Sequence, residues 1–493
     1  MGDKTAFLTV EDLKVTFSLF CAVCGIGTLS MPKNYASAGY GWASAALVYM
    51  ALVNTYATVC ISKLMLVAPK RVRTFADLGE FCMGQFGRWA ILITQMLTCI
   101  LVPIVFLVIG GSIGVIMFPS AYGQTTWIIL IAITLLPICL IPTLKEGALA
   151  AAAGALGTIL ANVIAFYLVL DNMIPASHGL SIPQPDVGFK QVASVFGSLA
   201  LAYGAGLVIP SLQREHSEPT RMPRVIVFSM AIISVFFLAV SITGVSLLGC
   251  QVPGNILFLI AGTPTVFGFT ANRGGVILAN LFMLLHIIIA FGLLVYPAYY
   301  TLERLFLGLH KLDDTIFDSE ESYESAETPR DQPRESQPKV EPVGEKHDVK
   351  SYQTPGMFPK VALLRIIVVA ACTAISCVWK DRLSDLLDFT GASCLSLCTM
   401  ILPMVFYLKV MWKNVSMAER VWCLVAILVC VFLAVYESIQ SGKVLFRATP
   451  AASSGPTPWD SVKFNYCPAG SSYQRIVYTN ASYHANYTRS ANL

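Results

Sequence analysis

CGIGTLSMPKNYASAGYGW, running from Cys24 to Trp42, is the stretch on which the fold turns. It lies in the first long apolar run, yet Gly25, Gly27 and Pro32 fall within eight residues of one another. In a helix interior glycine costs about 1 kcal/mol and proline about 3 relative to alanine. A segment built only to cross a bilayer has no use for all three. In hydrocarbon, freed amides and carbonyls must find partners, so an interrupted backbone is tolerated only beside protein or a cavity.

A second interruption, Tyr203-Gly204-Ala205-Gly206, ends at Pro210 inside the sixth apolar run. Paired breaks in the first and sixth helices are what a five-plus-five inverted repeat predicts, with a binding site at the repeat interface. A solute bearing a carboxylate and an ammonium would satisfy both kinds of orphan group. The carboxylate would take amides at a half-helix start, and the ammonium would take carbonyls. The competing reading is close packing of small residues between helices. Glycines such as Gly110, Gly111 and Gly114 show that such packing is available elsewhere. The matched positions of the two breaks favour the first reading.

Around these breaks the 493-residue chain is 56% hydrophobic and 13% charged, which excludes an ordinary water-soluble enzyme and overall disorder. Eleven apolar segments are expected, near 14–31, 40–66, 89–118, 126–143, 147–170, 190–211, 225–249, 274–300, 360–379, 386–408 and 418–440. A helix needs about 20 apolar residues to span the hydrocarbon core. The expected fold class is an all-α polytopic membrane protein. Its parts are a cytosolic amino terminus (1–13), a transmembrane domain (14–440) and an extracytosolic tail (441–493).

Loop charges set the orientation. Lys70, Arg71, Arg73, Arg88, Lys145, Arg214, Arg221, Arg224, Lys409, Lys413 and Arg420 fall on the amino-terminal side. The opposite loops hold few cations: Lys190, Arg273 and the exceptions Lys380 and Arg382. The amino terminus is therefore expected in the cytosol. The formal net charge of +4 conceals an acidic segment, with about a dozen acids against five bases between Leu312 and Lys350. Residues 310–359 read as a disordered cytosolic loop. Ser319, Ser322, Ser325 and Thr328 are phosphorylation candidates there, against the plainer reading of a tolerated insertion. Short basic loops between apolar spans speak for topology, not for nucleic acid.

Two glycosylation sequons, Asn480-Ala-Ser and Asn486-Tyr-Thr, lie in the tail on the expected outer side. Asn414-Val-Ser falls in an expected cytosolic loop and should stay unmodified. Most of the 14 cysteines sit inside apolar runs as packing residues, and Cys21 with Cys24 makes no zinc site. Cys250 and Cys467 lie outside the spans on the oxidising face and could pair, although nothing in the sequence brings them together. No cleavable leader is expected ahead of the first span.

His286, about halfway along the eighth segment, is the mid-membrane group able to exchange a proton near neutrality, its reference pKa being about 6.5. The alternative is a neutral histidine bonded to a neighbouring helix. Glu303 and Arg304 at the end of that segment read as capping or orienting groups. No HExxH, GxSxG or nucleotide loop occurs, so catalysis is not expected. Secondary transport is the class that remains, ahead of a channel or receptor.

Five pieces in order resemble the amino acid/auxin permease family of the amino acid–polyamine–organocation superfamily. They are GIGTLSMP with GYGW (Gly25–Trp42), FADLGEFCMGQFGRW (Phe75–Trp89), AYGAGLVIPSLQ (Ala202–Gln213), HIIIAFGLLVYPAYYTLE (His286–Glu303) and DLLDFTGASCLSLCTMILPMVFYLK (Asp385–Lys409). The resemblance implies eleven helices in the fold of the bacterial leucine transporter, moving amino acids coupled to protons or sodium. It places the substrate carboxylate on Gly25, Ile26, Gly27 and Thr28, the ammonium on carbonyls near Ala202, Tyr203 and Gly204, and Phe106 at the pocket wall.

Sodium-coupled members carry an amide residue four positions before the first glycine and a hydroxyl residue in the eighth span. Here the first position is Cys21, and Phe282 to Tyr299 holds no Ser or Thr. A hard cation wants oxygen ligands, so a proton is the expected coupling ion. The resulting expectation is a proton-coupled amino acid transporter, a monomeric unit in the lipid bilayer with no cofactor, in the plasma membrane or a vacuolar or lysosomal membrane. An amino acid sensor signalling through the acidic loop, or sodium-coupled or uncoupled transport, is the alternative.

Overall fold

The computed structural model describes residues 7–69, 72, 74–140, 147–172, 182–262, 265–309, 356–447 and 464–468. The phosphorylation candidates, most of the acidic segment, Asn480 and Asn486 lie outside these residues. The described chain is helical: α1 Val10–Val23, α2 Ile26–Leu29, α3 Met31–Val67, α4 Phe75–Met117, α5 Gln124–Leu140, α6 Gly147–Asp171 and α7 Phe189–Ala202. There follow α8 Ile209–Glu215, α9 Met222–Leu248, α10 Arg273–Leu302, α11 Met357–Trp379, α12 Leu383–Thr390, α13 Leu402–Met411 and α14 Met417–Leu445. A wide helical turn, Gly391–Ile401, joins α12 to α13.

Nine helices among the described residues are long and apolar enough to cross a membrane. The expectation of eleven spans departs from that figure in two places. Gln124–Leu140 has only 17 residues. The first expected span, 14–31, is divided between α1 and the start of α3.

Helix starts follow local chemistry. Thr9 Oγ1 accepts from the Asp12 amide at 3.2 Å while Asp12 Oδ2 accepts from the Thr9 amide at 2.7 Å, a reciprocal cap for α1. Thr74 and Asp77 do the same for α4 at 3.1 and 3.0 Å. Within α3, Gly39 has φ 71°, a conformation that side-chain-bearing residues avoid. The bend there turns the second half of the first span into the second span.

Two buried apolar bodies form. One gathers Leu19, Tyr35, Ile61, Tyr203 and Phe237 from α1, α3, the end cap of α7, and α9. The other gathers Phe106, Leu135, Ile287 and Phe291 from α4, α5 and α10, with α6 and α11 packed in. Large apolar residues on the outer faces, such as Val235, Val378 and Leu428, are exposed, as helices facing acyl chains require. A disulfide joins Cys250 to Cys467, with their Cα atoms 5.0 Å apart, and Phe464 stacks on Phe267.

Candidate transport site

Both expected interruptions are present, and they touch. The first span stops at Val23, makes a short turn over Ile26–Leu29 and resumes at Met31. The sixth stops at Ala202 and resumes through a tight turn, Ala205–Val208, into α8. A Cβ placed on Gly27 would lie 2.8 Å from the Ala202 Cα, so only glycine lets the two breaks approach this closely. This contact links two segments that are about 175 residues apart in sequence.

Within the breaks some polar groups are already satisfied. The Gly25 amide donates to the Val23 carbonyl at 2.9 Å, and the Thr28 amide donates to the Gly25 carbonyl at 3.0 Å. The Ala205 amide donates to the Tyr203 carbonyl at 2.6 Å. A carboxylate entering at Gly25 or Thr28 therefore competes with turn bonds. Thr28 Oγ1 is fully buried with no hydrogen-bond partner among the described residues beyond the adjacent Cys24 thiol. Tyr203 is buried, and its hydroxyl donates to Ser234 Oγ at 2.8 Å.

His286 on α10 comes to the first break. A Cβ on Gly25 would sit 2.9 Å from its Nε2, and one on Gly154 of α6 would sit 3.3 Å from its Nδ1. Phe106 lies edge-on to the imidazole at 6.0 Å between ring centroids. Neither ring nitrogen makes a hydrogen bond of ordinary geometry among the described residues, although the Gly154 backbone lies alongside. The structure thus gathers Gly25, Gly27, Phe106, Ala202 and His286 around one point, where the two apolar bodies meet. An external pocket of about 620 Å³, lined by Ser112, Tyr122, Gln124 and Phe258 among others, contains none of them. The contact of the two breaks and the two unbonded ring nitrogens of His286, not empty volume, mark this point as the candidate site.

Each end of the broken first span is tied down. Asp12, at its start, accepts from Arg221 Nε and Nη2 at 3.0 and 2.7 Å, and its Oδ1 lies 3.1 Å from His216 Nε2. Glu11 accepts from the amide and hydroxyl of Ser217. Beyond the break, Lys33 Nζ bonds Asp388 Oδ2 on α12 at 2.6 Å.

His286 is not alone among ionisable side chains enclosed by the helices. Lys33, Asp388, Glu437 and Arg365 are all buried among the helices. Arg365 donates to Glu303 Oε1 at 2.7 Å and to the Cys139 carbonyl at 2.9 Å, tying α11 to α10 and α5. Glu303 therefore anchors a neighbouring helix, while Arg304 is exposed. The overlooked signal was available: charged residues inside or beside apolar runs seldom lack partners.

These features define a class, a multi-pass helical membrane protein whose first and sixth spans break where they meet. A family profile described as "Transmembrane amino acid transporter protein" matches residues 11–445, and the chain belongs to that family. Two similar proteins from Arabidopsis thaliana are "Amino acid transporter AVT1J", 25% identical over 258 residues, and "Amino acid transporter AVT1I", 22% identical over 254. Each alignment covers 49% of this chain, and 58% and 61% of those relatives' own length. Among solved structures, MhsT in complex with L-phenylalanine superposes with a TM-score of 0.50 at 11% identity, over 87% of this chain and 98% of that one. That likeness shows the fold, which is of the leucine-transporter type. The family and the relatives are transporters, not enzymes.

Proposed function

We propose that this protein moves amino acids across a membrane by alternating access, driven by a proton gradient. The observation that carries the reading is the contact of the two breaks at Gly27 and Ala202, with His286 against Gly25. The substrate carboxylate goes to Gly25, Ile26, Gly27 and Thr28, where the buried Thr28 hydroxyl, held only by the Cys24 thiol, supplies a donor. The ammonium goes to carbonyls at Ala202, Tyr203 and Gly204, and Phe106 bounds the side-chain space. His286 is the proton-linked group at this site. Cys21 replaces the amide of sodium-coupled relatives, which supports a proton over sodium.

The ties at Asp12 and Lys33 are the two gates, and alternating access requires that they release in turn. The amino terminus is cytosolic, so the Asp12 tie is the inner gate. The Cys250–Cys467 disulfide then faces the oxidising side, where such bonds persist.

The test is uptake into proteoliposomes across a panel of common amino acids, with an inward proton gradient, with sodium, or with neither. Proton-driven accumulation of at least one amino acid is expected, and no uptake of any would sink the reading. Deleting Asp313–Val349 separates transport from sensing. A transporter keeps its flux, whereas a sensor binds and loses its output.

A further inference from the structure

The cluster around Lys33 contains none of the residues assigned to the substrate. Lys33 on α3, Asp388 on α12 and Glu437 on α14 are 4%, 6% and 3% exposed. Lys33 is committed to Asp388 Oδ2, and Asp388 Oδ1 is buried with no hydrogen-bond partner among the described residues. Ser441 donates to Glu437 Oε1 at 2.8 Å. The charges that act on Glu437 are Asp388 first, then Lys33 and Asp385. Asp385 in turn feels Arg382 and Lys190, and Tyr466 of the disulfide-held tail segment faces Lys33 and Asp388.

One buried ammonium thus shares this part of the bundle with two buried carboxyls, because α14 packs on α12 where a Cβ on Gly442 would lie 3.5 Å from the Phe389 ring. With both ionised, a negative charge stays unneutralised in a low-dielectric setting, which costs several kcal/mol. No group of three His, Cys, Asp or Glu side chains among the described residues is arranged to hold a metal ion. A proton needs only one carboxylate oxygen and no coordination shell.

We infer that Glu437, together with Asp388 and Lys33, forms a second proton-binding site, separate from His286, on the tie that holds the second half of the broken first span. The proton comes from solvent and forms an O–H bond on a Glu437 carboxyl oxygen. With the proton bound, Asp388 keeps Lys33 to itself and the tie is firm. With the proton released, Glu437 competes for Lys33 and repels Asp388, and the tie loosens. The unprotonated protein is thereby biased towards opening on this side. Its use in coupling rests on the proton-driven reading above, but the site itself does not.

Two measurements separate them. The pH-difference infrared spectrum of the purified protein in lipid should contain a protonated-carboxyl C=O band that is lost in Glu437→Gln and persists, shifted, in Glu437→Asp. In proteoliposomes, Glu437→Gln should lose the pH dependence of uptake, and Glu437→Asp should retain it. A band and a pH profile both unchanged in Glu437→Gln overturn the site while leaving proton coupling intact. A band that disappears in Glu437→Gln, with wild-type uptake indifferent to protons, keeps the site and removes the coupling. If Glu437→Gln does not fold, Glu437→Asp decides alone, and an unshifted band overturns the site.

Discussion

The imidazole of His286 closes against Gly25, with its Nε2 2.9 Å from where a Cβ would stand. A histidine from the eighth expected span therefore occupies the side-chain position that glycine leaves empty at the first break.

Gly25→Ala should remove this fit. Overpacking a close contact costs about 1–3 kcal/mol, and the imidazole must shift to admit the methyl group. Substrate affinity should fall by about tenfold or more, since 1.4 kcal/mol is a factor of ten. Isothermal titration of the purified variant checks it. Gly25→Ala combined with His286→Ala should recover part of the loss, and a double variant no better than the single would refute the steric account.

His286→Ala should abolish accumulation of substrate against its gradient when an inward proton gradient is imposed. Uptake by proteoliposomes held at two external pH values measures it. A variant that accumulates substrate to the wild-type level removes His286 from the coupling mechanism.

Lys33 and Asp388 form a buried pair, and removing one partner strands the other charge. Lys33→Met strands Asp388 and should destabilise the protein by about 3–5 kcal/mol, while the double variant with Asp388→Leu should lose much less. Thermal unfolding in detergent checks the order. Additive losses in the double variant would mean that the two charges are not coupled.

The Asp12 tie holds the start of the first span to the segment containing His216 and Arg221. Arg221→Ala removes two charge-assisted hydrogen bonds from a buried carboxylate, a loss of about 1–3 kcal/mol. If this tie is a gate, the buried Cys21 and Cys24 thiols should react faster with a polar maleimide in the variant than in the wild type. Equal labelling rates would show that the tie does not control access.

Both breaks were legible because their cause is local. Gly25, Gly27 and Pro32, and then Gly204, Gly206 and Pro210, interrupt apolar runs by their own backbone properties. The helix caps found in the structure are equally local, Thr9 with Asp12 and Thr74 with Asp77 each three residues apart, but the sequence reading did not single them out. Charge was harder to read. Lys33, Asp388 and Glu437 stand at the margins of apolar runs, and nothing in a linear run shows which partner will neutralise them.

Sequence alone determined that the chain is a helical membrane protein, where its helices break, and which family its motifs resemble. Those features depend on composition and on spacings of a few residues. Tertiary structure decided that Gly27 meets Ala202, that Gly25 makes room for His286, and that Lys33 pairs with Asp388 across 355 positions. It also brought Cys250 to Cys467, 217 residues away. Such contacts arise from how helices pack. Burial makes each of them obligatory, since an unpaired charge or an unfilled gap inside the bundle has no water to compensate it.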